Sequence, residues 1–144
     1  MHPTPAFWQT LDALVAESTI KIDRPKGSAH PRYPQSIYPL DYGYLQNTTA
    51  MDGSGIDVWV GSCPAQKVDA IMCVVDIVKR DSEMKILIGC TEDEKMTVYE
   101  THNCYASMKG ILIRRGEDNI QIITAYYPSE DKWGNNFKTR KVAN

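Results

Sequence analysis

Apolar residues along the chain fall mostly into short runs separated by turn-forming residues, a pattern typical of β-strands. The predicted strands occupy 19–23, 42–45, 56–60, 70–78, 84–90, 111–114 and 120–127. The runs 70–78 and 84–90 are strongly apolar and are joined by the polar link KRDSE. This arrangement predicts a buried hairpin with its charged residues clustered at one end.

Two further segments predict helices. In the first, 1–18, Thr4 can cap a helix that a proline then begins, and apolar residues follow at helical spacing along one face. In the second, about 91–105, Thr91 is followed three residues later by Glu94, which matches a capping box.

Many short strands, with one helix before them and one among them, predict a mainly β (α+β) fold: a small closed or partly closed β-barrel with helices packed outside. The chain 1–144 is expected to be one domain, since its length leaves no room for a second core. The barrel is expected over 19–128, after the helix at 1–18. Within it, the proline-rich segment 24–41 predicts a shaped loop, because prolines interrupt a strand ladder. The polar residues 129–144 predict a surface tail or docking arm.

Composition narrows the function classes. Hydrophobic residues make up 42% and charged residues 24% of the chain, and no apolar run is long enough for a membrane span. The formal net charge is -2, so no overall positive field attracts nucleic acid or anionic lipid. The first residues, MHPTPAFWQT, show no secretory signal, and a cytoplasmic location is therefore expected.

The four cysteines are unevenly spaced, without the close pairs typical of a structural zinc site. Cys73 and Cys90 lie in apolar strand-like runs, where a reduced thiol acts as a small hydrophobe. We therefore expect free thiols, with two disulfides in a secreted protein as the alternative.

Three segments carry candidate chemistry: IDRPKGS at 22–28, YPLDYGY at 38–44 and DGSGIDVWVG at 52–61. Asp52 lies in a glycine-bearing loop, and Asp57 falls on the strand that follows. Two converging carboxylates suit a site for Mg²⁺ and phosphate. On spacing alone, however, such aspartates are also common turn formers.

The order of these segments resembles the soluble family I inorganic pyrophosphatases over about residues 19–90. The resemblance implies a five-stranded β-barrel of oligonucleotide-binding type with flanking helices. It also implies hydrolysis of pyrophosphate, or of a related phosphoanhydride, by a metal-activated water, with Mg²⁺ or alternatively Mn²⁺ as cofactor. The expected partner is thus a small phosphoanhydride rather than nucleic acid or membrane. A homo-oligomer is implied because the family is commonly oligomeric, although a barrel of this size can stand alone.

The resemblance also implies site residues. The implied metal ligands are Asp23, Asp52, Asp57, Asp81 and Glu83. The implied phosphate-binding residues are Lys26, Arg32, Tyr42 and Lys85. The implied catalytic residues are Tyr42, Asp57 and Lys85. The match around KRDSEMKILI is the looser one, since a charged hairpin end is by default only solvated.

Three departures from the family pattern favour a second hypothesis. The family signature is an Asp-rich loop of the form DGD followed by a third aspartate, and this chain has DGSGID at 52–57. Ser54 thus replaces the middle aspartate, and a neutral hydroxyl is a poor metal ligand and base. Only SAHPRYPQSI remains of a hairpin that would complete the site, which leaves Arg32 or His30 to act there. The family's late Tyr-Lys pair has no match, since Tyr105 and Lys109 are not adjacent. The alternative is therefore a catalytically impaired barrel that binds metal or phosphate as a regulatory or interaction module.

Overall fold

The computed structural model describes residues 5–116 and 121–123, which form two helices and seven strands. The helices are α1 (Pro5–Ala16) and α2 (Glu92–Asn103). The strands are β1 (Ile20–Arg24), β2 (Asp41–Leu45), β3 (Ile56–Val60), β4 (Val68–Asp76), β5 (Asp81–Ile88), β6 (Met108–Arg114) and β7 (Gln121–Ile123). The prediction of a mainly β fold with two helices is confirmed.

All of these strands belong to one mixed sheet in the order β1-β2-β3-β5-β4-β6-β7. Neighbours pair antiparallel, except β3 and β5, which pair in parallel. The sheet therefore has seven strands rather than the five that the family resemblance implied. Within the described ranges β1 and β7 each pair on one side only, so a closed barrel is not confirmed.

Each face of the sheet buries its own apolar cluster, because successive side chains of a strand point to opposite faces. On the first face, Trp8 and Leu11 of α1 pack with Val58 of β3. On the second face, Val98 of α2 packs with Trp59, the next residue of β3. The polar site described below lies on this second face.

The capping box predicted for α2 is present. The Thr91 hydroxyl accepts a hydrogen bond from the backbone N of Glu94 (3.1 Å), and the Glu94 carboxylate accepts one from the backbone N of Thr91 (2.8 Å). The same carboxylate accepts from the backbone N of Ser62 at 3.1 Å, which joins the helix start to the chain after β3. Glu94 thus fixes both where α2 begins and how it lies on the sheet.

The turn between β4 and β5 differs from the predicted KRDSE link. It occupies 77–80, and Asp81 and Glu83 belong to β5. The carboxylate of Asp76 accepts hydrogen bonds of 3.0 Å from the backbone N of the second and third residues after it, and this closes the turn early. Because Glu83 is on the strand, it shares a face with Lys85, two positions further along.

The proline-rich segment is a shaped loop, as predicted. Residues 25–40 contain a single isolated bridge, Ala29 with Ile37, instead of a strand ladder. The loop is closed at its base, where the backbone N of Gly27 donates to the carbonyl of Tyr38 (2.8 Å) and the backbone N of Tyr38 donates to the carbonyl of Ser28 (2.9 Å). These bonds hold the two ends of the loop together just before β2 begins.

All four cysteines lie in the described ranges as free thiols, which confirms the first of the two expectations. Burial raises the pKa of the Cys90 thiol to about 12, so this group stays protonated at neutral pH.

Neither α1 nor α2 has the length and apolar character that crossing a membrane requires. The predicted tail at 129–144 lies outside the described residues, and the predicted strand at 120–127 is described only at 121–123.

Candidate functional site

The candidate site is centred on the ammonium group of Lys85. Its Nζ donates three hydrogen bonds: to the hydroxyl of Tyr42 at 2.8 Å, to Oδ2 of Asp57 at 2.9 Å and to Oε1 of Glu83 at 2.8 Å. An ammonium group has three N–H donors, so the three acceptors satisfy it completely. These four residues are called the Lys85 cluster below.

Strand pairing explains why distant residues meet here. β2 and β3 are antiparallel, with Tyr42 opposite Trp59 and Asp57 two pairs further along, opposite Tyr44, which puts Tyr42 and Asp57 on the same face. β5 lies on the other side of β3 and contributes Glu83 and Lys85. The cluster therefore joins three adjacent strands through side chains alone.

Exposure is graded across the cluster. The Lys85 side chain is only 9% exposed, whereas that of Glu83 is 20% and that of Asp57 is 28% exposed. The ammonium is thus the more buried group, and the two carboxylates lie closer to solvent. A ligand entering from solvent meets the acidic groups before it meets the cation.

Electrostatics keep the cluster in one protonation pattern. Burial by itself would lower the pKa of Lys85, but the Tyr42 hydroxyl and the nearby carboxylates outweigh it and raise that pKa above its ordinary value. Burial raises the pKa of Tyr42, which keeps its hydroxyl neutral at physiological pH. The cluster therefore combines a permanent cation with a neutral phenol.

A buried aromatic layer supports Tyr42 from below. Its ring meets that of Trp59 edge-on, with centroids 4.6 Å apart, and the indole Nε1 donates to Nε2 of His102 at 3.0 Å. His102 lies on the buried side of α2, and Nδ1 is 3.4 Å from the sulfur of Met108. Burial lowers the pKa of His102 to about 3, with Lys85 as a smaller contributor, so the ring is a neutral acceptor.

From the sequence, no role was predicted for His102. A signal was available, since His102 follows Val98 and Tyr99 at intervals of four and three residues, on one helical face. Nothing in the sequence, however, indicated Trp59 as its partner. That pairing depends on how α2 lies across β3.

The remaining predicted metal ligands do not join the Lys85 cluster. Asp52 is exposed and accepts a hydrogen bond from the backbone N of Ser54 at 2.9 Å, so it acts as a turn former. Asp81 pairs across the hairpin with Asp76, next to the turn. Asp23 lies at a bulge in β1, 3.7 Å from the guanidinium of the next residue.

The two predicted phosphate contacts outside the cluster are exposed side chains. Lys26 donates its backbone N to the carboxylate of Asp41 at 2.8 Å, and Arg32 donates its backbone N to Nδ1 of His30 at 3.0 Å. Of the predicted set, the structure thus brings together Tyr42 and three others at hydrogen-bond distance. The roles of all these residues in binding and catalysis remain predictions.

The arrangement of the acidic side chains determines whether the site can hold a metal ion. In the described part of the chain, no three or more His, Cys, Asp or Glu side chains are arranged to hold a metal ion. Asp57 and Glu83 each use one oxygen towards Lys85, and both side chains are partly exposed. Mg²⁺ is commonly held by one or two carboxylates, with waters and substrate phosphates as its other ligands. Asp57 and Glu83 together supply that minimum number of carboxylates.

Comparison with known proteins gives a limited result. No protein-family model and no curated protein matches the chain.

Among solved structures, an inorganic pyrophosphatase from Neisseria gonorrhoeae is similar with 19% identity and a TM-score of 0.47, over 64% of this chain and 77% of that one. One from Helicobacter pylori is similar with 14% identity and a TM-score of 0.44, over 74% and 83%. One from Coxiella burnetii is similar with 14% identity and a TM-score of 0.40, over 88% and 92%. At such values the likeness concerns the fold alone, and the activity of those proteins is not transferred by it.

Replacing Lys85 by methionine tests whether the cluster stabilises the fold. The change leaves two partly buried carboxylates without their cation, and we expect the free energy of unfolding at pH 7 to fall by about 3 kcal/mol. Because the pKa of Lys85 is raised in the folded state, the loss is complete below the ordinary lysine value of about 10.4 and shrinks above it. Urea denaturation between pH 7 and pH 11 measures both effects.

The matched control is Lys95→Met, since Lys95 also pairs with a carboxylate, that of Glu92 at 2.8 Å. Glu92 is 59% exposed and also pairs with Arg114, so the Lys95 variant leaves no buried carboxylate without a cation, and the loss is expected to be at most about 0.5 kcal/mol. Equal losses in the two variants would contradict the central position of Lys85.

His102 predicts an acid-sensitive fold. The unfolded chain protonates this histidine near pH 6.5, whereas the folded chain does so only near pH 3, so the contribution to stability is present above 6.5 and is lost as the pH falls towards 3. His102→Gln keeps an acceptor for Trp59 but cannot titrate. Between pH 6 and pH 4, the stability of native protein relative to this variant should decline by about 1.4 kcal/mol per pH unit. NMR titration of the His102 ring with a midpoint near 6.5 would refute the assignment.

Proposed function

We propose that the chain hydrolyses inorganic pyrophosphate, or a related phosphoanhydride, with Mg²⁺ as cofactor and Mn²⁺ as a substitute. The observation that carries this proposal is the Lys85 cluster, in which a permanent cation and a neutral phenol lie below two partly exposed carboxylates. Such a set can bind a polyanion and the divalent cations that accompany it.

The substrate binds through charge and hydrogen bonds. Pyrophosphate is a polyanion, and its oxygens can replace the carboxylates as acceptors for the ammonium of Lys85. The hydroxyl of Tyr42, kept protonated by burial, donates to a phosphate oxygen. Lys26 and Arg32 lie exposed on the loop before β2, where their charges attract the same anion.

Exchange of partners at Lys85 links substrate binding to cation binding. When the ammonium turns to phosphate, Asp57 and Glu83 are released as ligands for Mg²⁺. Asp23, Asp52 and Asp81 are proposed as additional, outer carboxylates. The bound metal supplies charge neutralisation on the leaving phosphate and a more acidic water.

Ser54 limits the rate of the proposed reaction. Its side chain is a neutral hydroxyl in an exposed loop, which neither holds a cation well nor accepts a proton near neutral pH. Asp57 is the carboxylate of the cluster most open to solvent and is therefore proposed as the group that receives the proton from water. Because position 54 supplies no further carboxylate, slow turnover is expected.

The second candidate is a protein that binds phosphate and metal without turnover and serves as a regulatory or interaction module. Two observations favour it: Ser54 stands where the family signature has an aspartate, and Asp52 uses an oxygen to form the turn. A cytoplasmic location and a homo-oligomer remain proposals under either candidate.

Phosphate release from pyrophosphate tests the proposal, with Mg²⁺, with Mn²⁺ and without metal. We expect metal-dependent release by the native protein, a loss of at least about 100-fold in Asp57→Asn, and a gain in Ser54→Asp. Asp93→Asn is the control, because Asp93 is an exposed carboxylate in the first turn of α2, away from the cluster. Its rate should equal that of the native protein.

The outcomes separate the two candidates. Release by Ser54→Asp alone, with pyrophosphate bound by the native protein in calorimetry, would favour the impaired module. If neither protein releases phosphate or binds pyrophosphate with Mg²⁺, the function is not that of a phosphoanhydride hydrolase.

A further inference from the structure

A row of aromatic rings leads from the Lys85 cluster to the surface. The ring of Tyr42 is 5.4 Å from that of Tyr38, which lies nearly parallel to the ring of His30 at 6.1 Å and an angle of 7°. His30 is in turn 5.1 Å from Tyr33. Tyr33 is 56% exposed, so the row ends in an aromatic surface open to solvent.

This outer part of the row is held in place by its own loop. The backbone N of His30 donates to the carbonyl of Ser36, and the backbone N of Ser36 donates to the carbonyl of Tyr33, both at 2.8 Å. The hydroxyls of Ser36 and Tyr105 lie 2.9 Å apart, which ties the loop to the chain after α2. The ring surface is therefore formed before any ligand binds, and little ordering entropy opposes binding.

Three cationic side chains lie near His30, although the chain as a whole is slightly acidic. Burial lowers the pKa of His30, and Arg24, Arg32 and Lys79 lower it further by their proximity. His30 is therefore a neutral ring, and because its Nδ1 accepts from the backbone of Arg32, its other nitrogen carries the proton. Aromatic faces interleaved with cations are typical of surfaces that bind nucleotides.

We propose that this loop surface binds the nucleobase of a nucleoside polyphosphate whose terminal phosphates lie at the Lys85 cluster. The inference deepens the proposed function and rests on it for the phosphate end. Free pyrophosphate has no ring and would leave Tyr33 and His30 unused, whereas a nucleotide carries a ring several bonds away from its phosphates. Stacking requires only a planar face, so the surface takes any nucleobase.

Calorimetry with two non-hydrolysable probes tests this proposal in the presence of Mg²⁺. Methylenediphosphonate represents the phosphate end alone, and α,β-methylene-ADP adds a sugar and a base. We expect the native protein to bind the nucleotide probe about 10-fold more tightly, within the range that one stacked base contributes. Tyr33→Ala should reduce this preference to less than about 3-fold, without changing the affinity for methylenediphosphonate.

Two further variants control for structure. Tyr33→Phe keeps the ring and should keep the preference. Met51→Ala changes a residue that is 94% exposed in a different loop and should bind both probes as the native protein does. Circular dichroism confirms that each variant is folded.

The results distinguish this inference from the function on which it rests. Equal affinity of the native protein for both probes, or an equal loss for both in Tyr33→Ala, would overturn the nucleobase site even if pyrophosphate is hydrolysed. Tyr33-dependent binding of the nucleotide probe by a protein that does not hydrolyse pyrophosphate would support the site and refute only the hydrolase proposal.

Discussion

The candidate site depends on the burial of one ammonium group. Removing the charge of Lys85 from water is costly, and only three acceptors at 2.8–2.9 Å compensate for it. Those acceptors come from β2, β3 and β5, so the position of each strand is constrained by the same charge. Gly43 belongs to this constraint, because a Cβ there would collide with the carbonyl of Lys21 on β1 and disturb the strand that carries Tyr42.

The same charge connects the core with the proposed chemistry. Below Lys85, the Trp59 indole donates to His102, whose other ring nitrogen contacts the sulfur of Met108, and an aromatic layer fills the space between the sheet and α2. Above it, Asp57 and Glu83 lie closer to solvent. Under the proposed function, a divalent cation competes with the ammonium for these two carboxylates, and binding of substrate and metal is coupled to an exchange of partners at Lys85.

Local features of the fold were predictable from the sequence, and features set by distant contacts were not. The capping box of Thr91 and Glu94 and the proline loop follow from neighbouring residues, and both are confirmed. The predicted position of the turn between β4 and β5 was wrong, because the Asp76 carboxylate closes the turn earlier in the chain. The grouping of Tyr42 with Asp57 and Lys85 was anticipated only through a family resemblance, since it depends on a parallel β3–β5 pairing that no local pattern encodes. The sequence could not show that Asp52 lies apart from the cluster and closes a turn, because the same residue type both binds metals and forms turns.

The proposed exchange of carboxylate for phosphate at Lys85 is directly observable by NMR of lysine ammonium groups. The ¹⁵Nζ signal of Lys85 is assigned by its absence in Lys85→Met. Because its three hydrogen bonds slow exchange with water, the signal should be visible in the free protein. Addition of Mg²⁺ with methylenediphosphonate should shift this signal, while that of Lys95 stays in place. An unchanged Lys85 signal at saturating ligand would contradict the proposed exchange of partners.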